Sequence, residues 1–358
     1  MDKKRKIFFV IGYLGGLGWG GAHRVVSILA NYFSKKGHDV TIIVWRDSSI
    51  DYPIDSSVKI KWLHCTIKHK WDIVRPCLMT RSILKKHKGA YLYAFMSRMA
   101  VYALFYTLGL DIKIIGSERT DPRTEPHKAI YRLLRNISFC FLYKTVYQTP
   151  EAMAYFPKLA RKRGCVIPNP ITPNLPARFL GVRKKEFVTF CRIDKQKNLQ
   201  MMIDAFIFAH QKHPDYILRI YGTGLVESEI KEYIKTKNAA DYIYLEGFTT
   251  NIHTKIVDAY GYLSSSDYEG LSNSMLEALA IGLPSICTDC PIGGANMIIE
   301  NNVNGILIPV GDSDAMGKQI CKLIENPRVC EILSKNAEKI RDLLDEKIIC
   351  EKWNQLMI

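Results

Sequence analysis

Glu269 and Glu277 bracket a helix start in Tyr268–Gly282, YEGLSNSMLEALAIG. The stretch opens with an acid and a glycine, passes through a polar turn, and becomes apolar at helical spacing through Met275, Leu276, Leu279 and Ala280. Ser272, Asn273 and Ser274 are all competent N-caps, so the free N–H groups of the first turn should point back towards Glu269. Such an end favours phosphate, whereas carboxylates accept from hydroxyls. A sugar nucleotide offers both. The same spacing also reads as a capping box, Ser274-Met-Leu-Glu277, which would make Glu277 a purely structural acid. Both readings stand at this level.

Cations occur at a second strand end, in Cys191-Arg-Ile-Asp-Lys-Gln-Lys-Asn198. Arg192 offers a fork of donors matched to phosphate oxygens, and Lys197 a mobile point charge at the entrance of the next helix. With a helix N-terminus beside them they could stabilise a departing diphosphate without a metal. A solvated turn is the plainer alternative. Gly222-Thr-Gly224 follows another strand. Asp312-Ser-Asp314 has the form of a D-x-D metal motif, but stands between strand and helix where Asp is a natural N-cap, and the cap is preferred. Cys287-Thr-Asp-Cys290 lacks the second pair that a zinc site needs.

These side chains need strand ends to hold them, and the chain supplies strands alternating with helices. Ile7 to Gly12 reads as a buried strand, followed by Gly15, Gly16, Gly18, Gly20 and Gly21 and a helix from Ala22 to Lys36. A strand from Val40 to Trp45 completes a βαβ unit whose glycine turn lies where such sheets bind ligands. The glycines spread more widely than the dinucleotide fingerprint, and no acid ends the second strand. Tyr91 to Met96 is a further strand with Ser97 and Arg98 at its end; Ile112 to Gly116 leads to Glu118 and Arg119, which could equally pair with each other. Lys128 to Phe141 is a helix carrying Arg132 and Arg135. From Glu186 onward the same alternation makes a second parallel-sheet domain.

At 358 residues the chain is long enough for two cores. The expected division is 1–168, a proline-rich linker 169–180, 181–340, and a terminal helix 341–358 crossing back to the first domain. No apolar run reaches the ~20 residues that span a bilayer. Lys3 to Lys6 before an apolar segment has the form of a secretion signal, yet the glycine loop and amphipathic helix that follow favour a first strand. Ten cysteines without a framework suggest a reducing compartment, hence the cytoplasm. Residues 1–180 hold 30 Lys and Arg against 11 Asp and Glu, so the first half should face something anionic. Lys61, Lys68, Lys70, Lys85, Lys86 and Lys88, interleaved with Trp62, Trp71, Tyr91 and Tyr93, suit a membrane surface or a nucleic acid, with a solvated lysine face as the plain reading.

Together, Gly20-Gly-Ala-His-Arg-Val-Val26, Arg192 with Lys197-Asn198, Gly222-Thr-Gly224, Glu269-Gly-Leu-Ser-Asn with Glu277-Ala, Cys290-Pro-Ile-Gly-Gly294 and Asn304-Gly-Ile-Leu-Ile-Pro309 span nearly the whole chain. As a set they resemble the retaining glycosyltransferases of family 4. That resemblance implies an α/β GT-B architecture of two doubly wound Rossmann-like domains facing across a cleft. By position it implies that Arg192 and Lys197 hold a nucleotide diphosphate and that Glu277 accepts from the ribose. Glu269 with Gly270, Leu271, Ser272 and Asn273 would clamp the donor sugar and phosphate, and Gly20 and Gly21 would approach the diphosphate from the first domain. Family members generally need no metal and no cofactor beyond the nucleotide sugar, here expected to be UDP-linked. His23 stands where many relatives have Glu or Gln, and Ser97-Arg98 where they have His; with Glu118 and Arg119 these are the acceptor-side candidates. Ser117-Glu-Arg119 and Thr288 to Gly294 are closest to the subgroup extending lipid-linked or exopolysaccharide repeat units, often with N-acetylgalactosamine.

The expected enzyme is thus a cytoplasmic glycosyltransferase on the inner face of an anionic membrane, with a lipid-linked glycan acceptor. A sugar-nucleotide epimerase on the same fold, or a basic nucleic-acid-binding protein, would be the alternatives. The latter explains neither the two carboxylates nor the second glycine loop, so nucleic acid is not the expected partner.

Overall fold

The computed structural model describes residues 4–16 and 21–358. They form two compact units, Met1–Pro170 with Glu346–Ile358, and Ile171–Asp345.

In the first unit seven parallel strands lie in the order β3-β2-β1-β4-β5-β6-β7. They are β1 (Lys6–Ile11), β2 (Asp39–Val44), β3 (Lys59–Trp62), β4 (Ala90–Phe95), β5 (Ile112–Ser117), β6 (Lys144–Tyr147) and β7 (Gly164–Val166). β1, β2 and β4 are almost continuously apolar and buried, the pattern of strands covered on both faces. The chain reverses direction across the sheet between β1 and β4, and ligands of such sheets bind at that switch point. β3, β6 and β7 have no counterpart in the sequence reading. β3 alternates exposed and half-buried residues at the sheet edge, and β7 has only three residues.

The C-terminal helix Glu346–Gln355 belongs to this unit. Trp353 is fully buried and stacks on Phe95 with ring centroids 5.3 Å apart, while Tyr93 and Tyr91 donate to the carbonyls of Trp353 and Met357 at 3.1 and 2.6 Å. Burial of such aromatic surface, rather than the few polar bonds, is what holds the segment there.

The second unit has six parallel strands in the order β10-β9-β8-β11-β12-β13: β8 (Glu186–Phe190), β9 (Ile217–Tyr221), β10 (Ile243–Gly247), β11 (Gly261–Ser264), β12 (Ser285–Thr288) and β13 (Ile306–Ile308). Its core joins Phe187, Ile220, Leu263 and Ile286 from the strands to Met202, Phe206, Met316 and Ile320 from helices. Here the switch point lies between β8 and β11, whose following loops carry Arg192 to Asn198 and Ser265 to Ser272.

Most of the stretch expected as a linker is fastened down. Asn169 is buried in the first unit, but Ile171 donates to Leu344 O at 3.0 Å and Arg178 pairs with Glu331 and Glu338 at 2.7 and 3.2 Å in the second. Gly18 and Gly20 lie outside the described residues. No described helix is long and apolar enough to cross a membrane.

Candidate functional site

In the second unit the two loops at the switch point are stitched together. Asp267 N donates to Gln196 O at 2.9 Å, Gln196 Nε2 to Tyr268 O at 2.6 Å, Asn198 Nδ2 to Asp267 Oδ1 at 2.7 Å and Ser265 Oγ to Lys197 O at 2.7 Å. This lacing brings Lys197 against Glu269, and the two form a close, largely buried ion pair. Ser266 Oγ also donates to Glu269, at 3.3 Å. Burial works to lower the pKa of the Lys197 ammonium, but the Glu269 carboxylate, together with Cys191 and Asp194, holds the group above the ordinary lysine value. A lysine in this state stays charged at any working pH, with donors beyond the one Glu269 takes.

Arg192 is placed differently. Its guanidinium pairs with Asp194 at 3.1 Å and is half exposed, so it is tethered at the loop surface rather than packed. Gly222 and Gly224 form the neighbouring loop, laid directly on the Arg192 segment: Ile193 N donates to Thr223 O at 2.9 Å and Val226 N to Ile193 O at 3.2 Å. Gly222 has φ +133°, and a Cβ there would lie 1.9 Å from Cys191 O. Only glycine permits that crossing.

Ser272, not Ser274, caps the helix Asn273–Ala280, its hydroxyl accepting from Met275 N at 3.5 Å. This moves Glu277 two positions past the third helical residue, and the capping-box reading fails. The Glu277 carboxylate is instead buried, accepting from Thr172 Oγ1 and His253 Nε2, each at 2.9 Å. The His253 ring packs edge-on against Phe190, the last residue of β8, at 6.0 Å. Glu277 is therefore connected to the strand end that carries Arg192. Gly270 and Leu271 sit beneath the loop that follows β12, where a Cβ on Gly294 would lie 1.8 Å from Gly270 O. Thr288 Oγ1 and Cys290 Sγ both donate to Ser266 O, at 2.7 and 2.9 Å. Burial pushes the Cys290 thiol up to about 12, which makes it a poor nucleophile and an apt structural donor. Asp312 caps the following helix, accepting from Ala315 N at 2.8 Å.

In the first unit Ser97 and Arg98 follow β4, Glu118 and Arg119 follow β5, and His23 lies on the helix after β1. Ser97 begins a helix and is buried, and Arg98 is exposed. Gly21 opens the helix Gly21–Lys35. His23, in its first turn, is buried edge-on against Tyr13 at 5.0 Å; burial lowers its pKa against the opposing pull of Asp51. Glu118 and Arg119 do not pair through their side chains. Glu118 is buried against Arg135 at 3.3 Å and accepts from Thr120 Oγ1 at 3.0 Å. Arg119 lies over the Phe95 ring at 5.4 Å and donates to Asn169 Oδ1. Its burial brings the guanidinium down to about 9, against the raising effect of Glu118. Of the aromatics read among the lysines, Tyr91 and Tyr93 are core residues and Trp71 is exposed.

Residues 176–340 match the family described as Glycosyl transferases group 1. This match lies within the second unit. Beyond it, the chain is 28% identical over 228 residues to the UDP-N-acetylglucosamine--peptide N-acetylglucosaminyltransferase GtfA subunit of Streptococcus pneumoniae, covering 60% of this chain and 44% of that protein. The chain thus spans less than half the length of that curated relative. It is 25% identical over 360 residues, 98% of each chain, to a Campylobacter jejuni alpha-1,4-N-acetyl-D-galactosaminyltransferase named for a GalNAc-alpha-(1->4)-GalNAc-alpha-(1->3)-diNAcBac-PP-undecaprenol acceptor. Among solved structures, Anabaena HepE in complex with UDP and glucose aligns with TM-score 0.83 at 17% identity over 98% of both chains. That likeness shows the fold: two Rossmann-like domains of the GT-B class.

Sequence reading missed three side chains of the second unit's site. Thr172 fell inside the expected linker, and His253 and Gln196 belong to no motif. Each reaches its partner from a distant part of the chain, for which spacing along the sequence carries no signal.

Proposed function

We propose that the chain is a retaining glycosyltransferase that moves a hexose or N-acetylhexosamine from a UDP-sugar to a lipid-linked glycan in polysaccharide or glycoconjugate synthesis. The observation that carries this is the Lys197–Glu269 pair at the β8/β11 switch point, with Arg192 on the same loop as Lys197 and the Ser272-capped helix start beside Glu269. Lys197 and Arg192 would face the diphosphate, and Lys197 can do so without releasing Glu269 because its ammonium has three donors. Glu277, fixed by Thr172 and His253, would accept from the ribose, and Glu269 from a sugar hydroxyl. Two cations and the first-turn N–H groups would meet the leaving diphosphate's charge where it develops, which is where stabilisation counts most. We take this set to suffice without a metal ion. The UDP-bound and lipid-linked relatives support donor and acceptor classes, and the basic first unit supports a site on the cytoplasmic, anionic face of a membrane.

Screening nucleotide sugars for slow hydrolysis tests the reading. A UDP-sugar should be consumed at a rate that EDTA does not change. Conversion to an isomeric UDP-sugar with no acceptor present would point to an epimerase instead, and no consumption of any nucleotide sugar would contradict the proposal.

A further inference from the structure

The helix Ala129–Phe139 turns its apolar side outward. A helix on the surface of a globular domain ordinarily packs its apolar stripe against the core. Here Ile130, Leu133, Leu134 and Ile137, at helical spacing, are 56, 54, 45 and 49% exposed, while the helix buries Arg135, Ser138 and Phe139. Arg135 explains how this orientation is held. Its guanidinium pairs with the buried Glu118 at 3.3 Å, donates to Pro122 O at 2.8 Å and to Glu125 O, and lies over the Phe156 ring at 4.9 Å. Rolling the helix to hide Leu133 and Leu134 would pull Arg135 out of that cage and leave Glu118 as an uncompensated buried charge.

Neighbouring helices continue the apolar face. Phe105, near the end of the helix Ser97–Tyr106, and Leu108, just beyond it, are 66 and 74% exposed, and this helix packs beside Ala129–Phe139. The helix Val74–Leu84 also packs against Ser97–Tyr106, with Val74 and Leu78 at 50 and 61% exposure and Trp71, in the turn before it, at 85%. Arg81 ties the two by donating to the carbonyls of Tyr106 and Leu108 at 2.9 and 2.7 Å. Single exposed apolar residues are ordinary, but a run across three adjacent helices marks a surface that meets something.

Charge decides what it meets. Residues 59–135 carry 16 Lys and Arg against 5 Asp and Glu, and two of those acids, Glu118 and Asp121, are buried. A second copy of the chain would bring like charge against like. An anionic lipid surface offers negative headgroups to the basic rim and acyl chains to the apolar centre, with an aromatic such as Trp71 favoured at the boundary.

We infer that this three-helix face seats the chain in an anionic bilayer, with Ala129–Phe139 lying in the plane of the headgroup and acyl boundary. The inference rests on the lipid-linked acceptor reading above and adds the seat. It also has a geometric consequence. Glu118, which locks the helix, is followed directly by Arg119, the acceptor-side candidate packed over Phe95. The seating helix and that loop move as one piece, so the depth of the helix sets the height of Arg119 above the lipid.

Vesicle co-sedimentation of the full chain and of the double variant Leu133→Glu/Ile137→Glu tests this, since both positions are exposed and their replacement leaves the core intact. Wild type should sediment with vesicles of phosphatidylglycerol and phosphatidylcholine and retain part of that binding at high salt. The double variant should lose about tenfold or more of it, having lost two apolar contacts and gained two repelled charges. UDP-sugar hydrolysis in solution should be equal in the two chains, so a failure of the donor site shows separately from a failure of the seat. Unchanged vesicle binding in the variant would overturn the inference. So would a wild-type chain that ignores vesicles but self-associates, with the variant monomeric, since the face would then be an interface between copies.

Discussion

Lys197 and Arg192 belong to one loop and carry the same charge, yet they should respond very differently to truncation. Lys197→Ala leaves Glu269 largely buried without its partner and should cost about 2–4 kcal/mol of stability, a little below the range for fully buried pairs because both side chains keep some exposure. Arg192→Ala removes a half-exposed guanidinium and should stay within about 0.5 kcal/mol. Urea unfolding of the two variants measures the contrast; equal losses would mean that the ion pair is not the keystone of the loop. His23 makes a second residue-level case. Its folded pKa is lowered by burial, so as pH falls below the ordinary value of 6.5 the unfolded chain takes up a proton that the folded chain refuses. That part of the stability is complete above pH 6.5 and is lost on acidification. His23→Gln should therefore show a shallower fall in stability between about pH 6.5 and 5 than wild type. An identical fall would show that the folded imidazole accepts the proton freely.

At the scale of elements, the sequence disclosed the scaffold better than the junctions. Strands such as Phe8–Val10 and Ile42–Val44 are apolar on both faces and announce themselves, as does the glycine that ends a helix. β3, β6 and β7 are short or lie towards one side of the sheet, where burial no longer writes a pattern. The role of Glu277 was ambiguous for a physical reason: a cap and a ligand acid need the same residue types at the same spacing. Only the position of Ser272 and the approach of His253 separate them. The helix Ala129–Phe139 shows the same limit, because periodicity reveals an apolar stripe but not which way Arg135 will turn it. Packing between loops gives a sharper prediction. Gly294→Ala would set a methyl group 1.8 Å from Gly270 O and must push back the backbone that precedes the helix start. We expect a loss of about 1–3 kcal/mol in stability, as for other overpacked sites, together with weakened UDP binding. A variant as stable and as competent as wild type would show that the Gly270 loop needs no such support.

For the molecule as a whole, the two units differ in charge, with 30 basic against 11 acidic residues in positions 1–180. The first unit carries the basic and apolar surface proposed above to meet an anionic membrane, and the second carries the segment similar to group 1 glycosyl transferases with its laced switch point. The central claim concerns that switch point, and calorimetric titration of UDP into the full chain tests it most directly. Wild type should bind UDP, and Arg192→Ala and Glu277→Gln, each confirmed as folded by circular dichroism, should bind at least about tenfold more weakly, the loss of one charge-assisted contact apiece. Affinities unchanged in both variants would contradict the account.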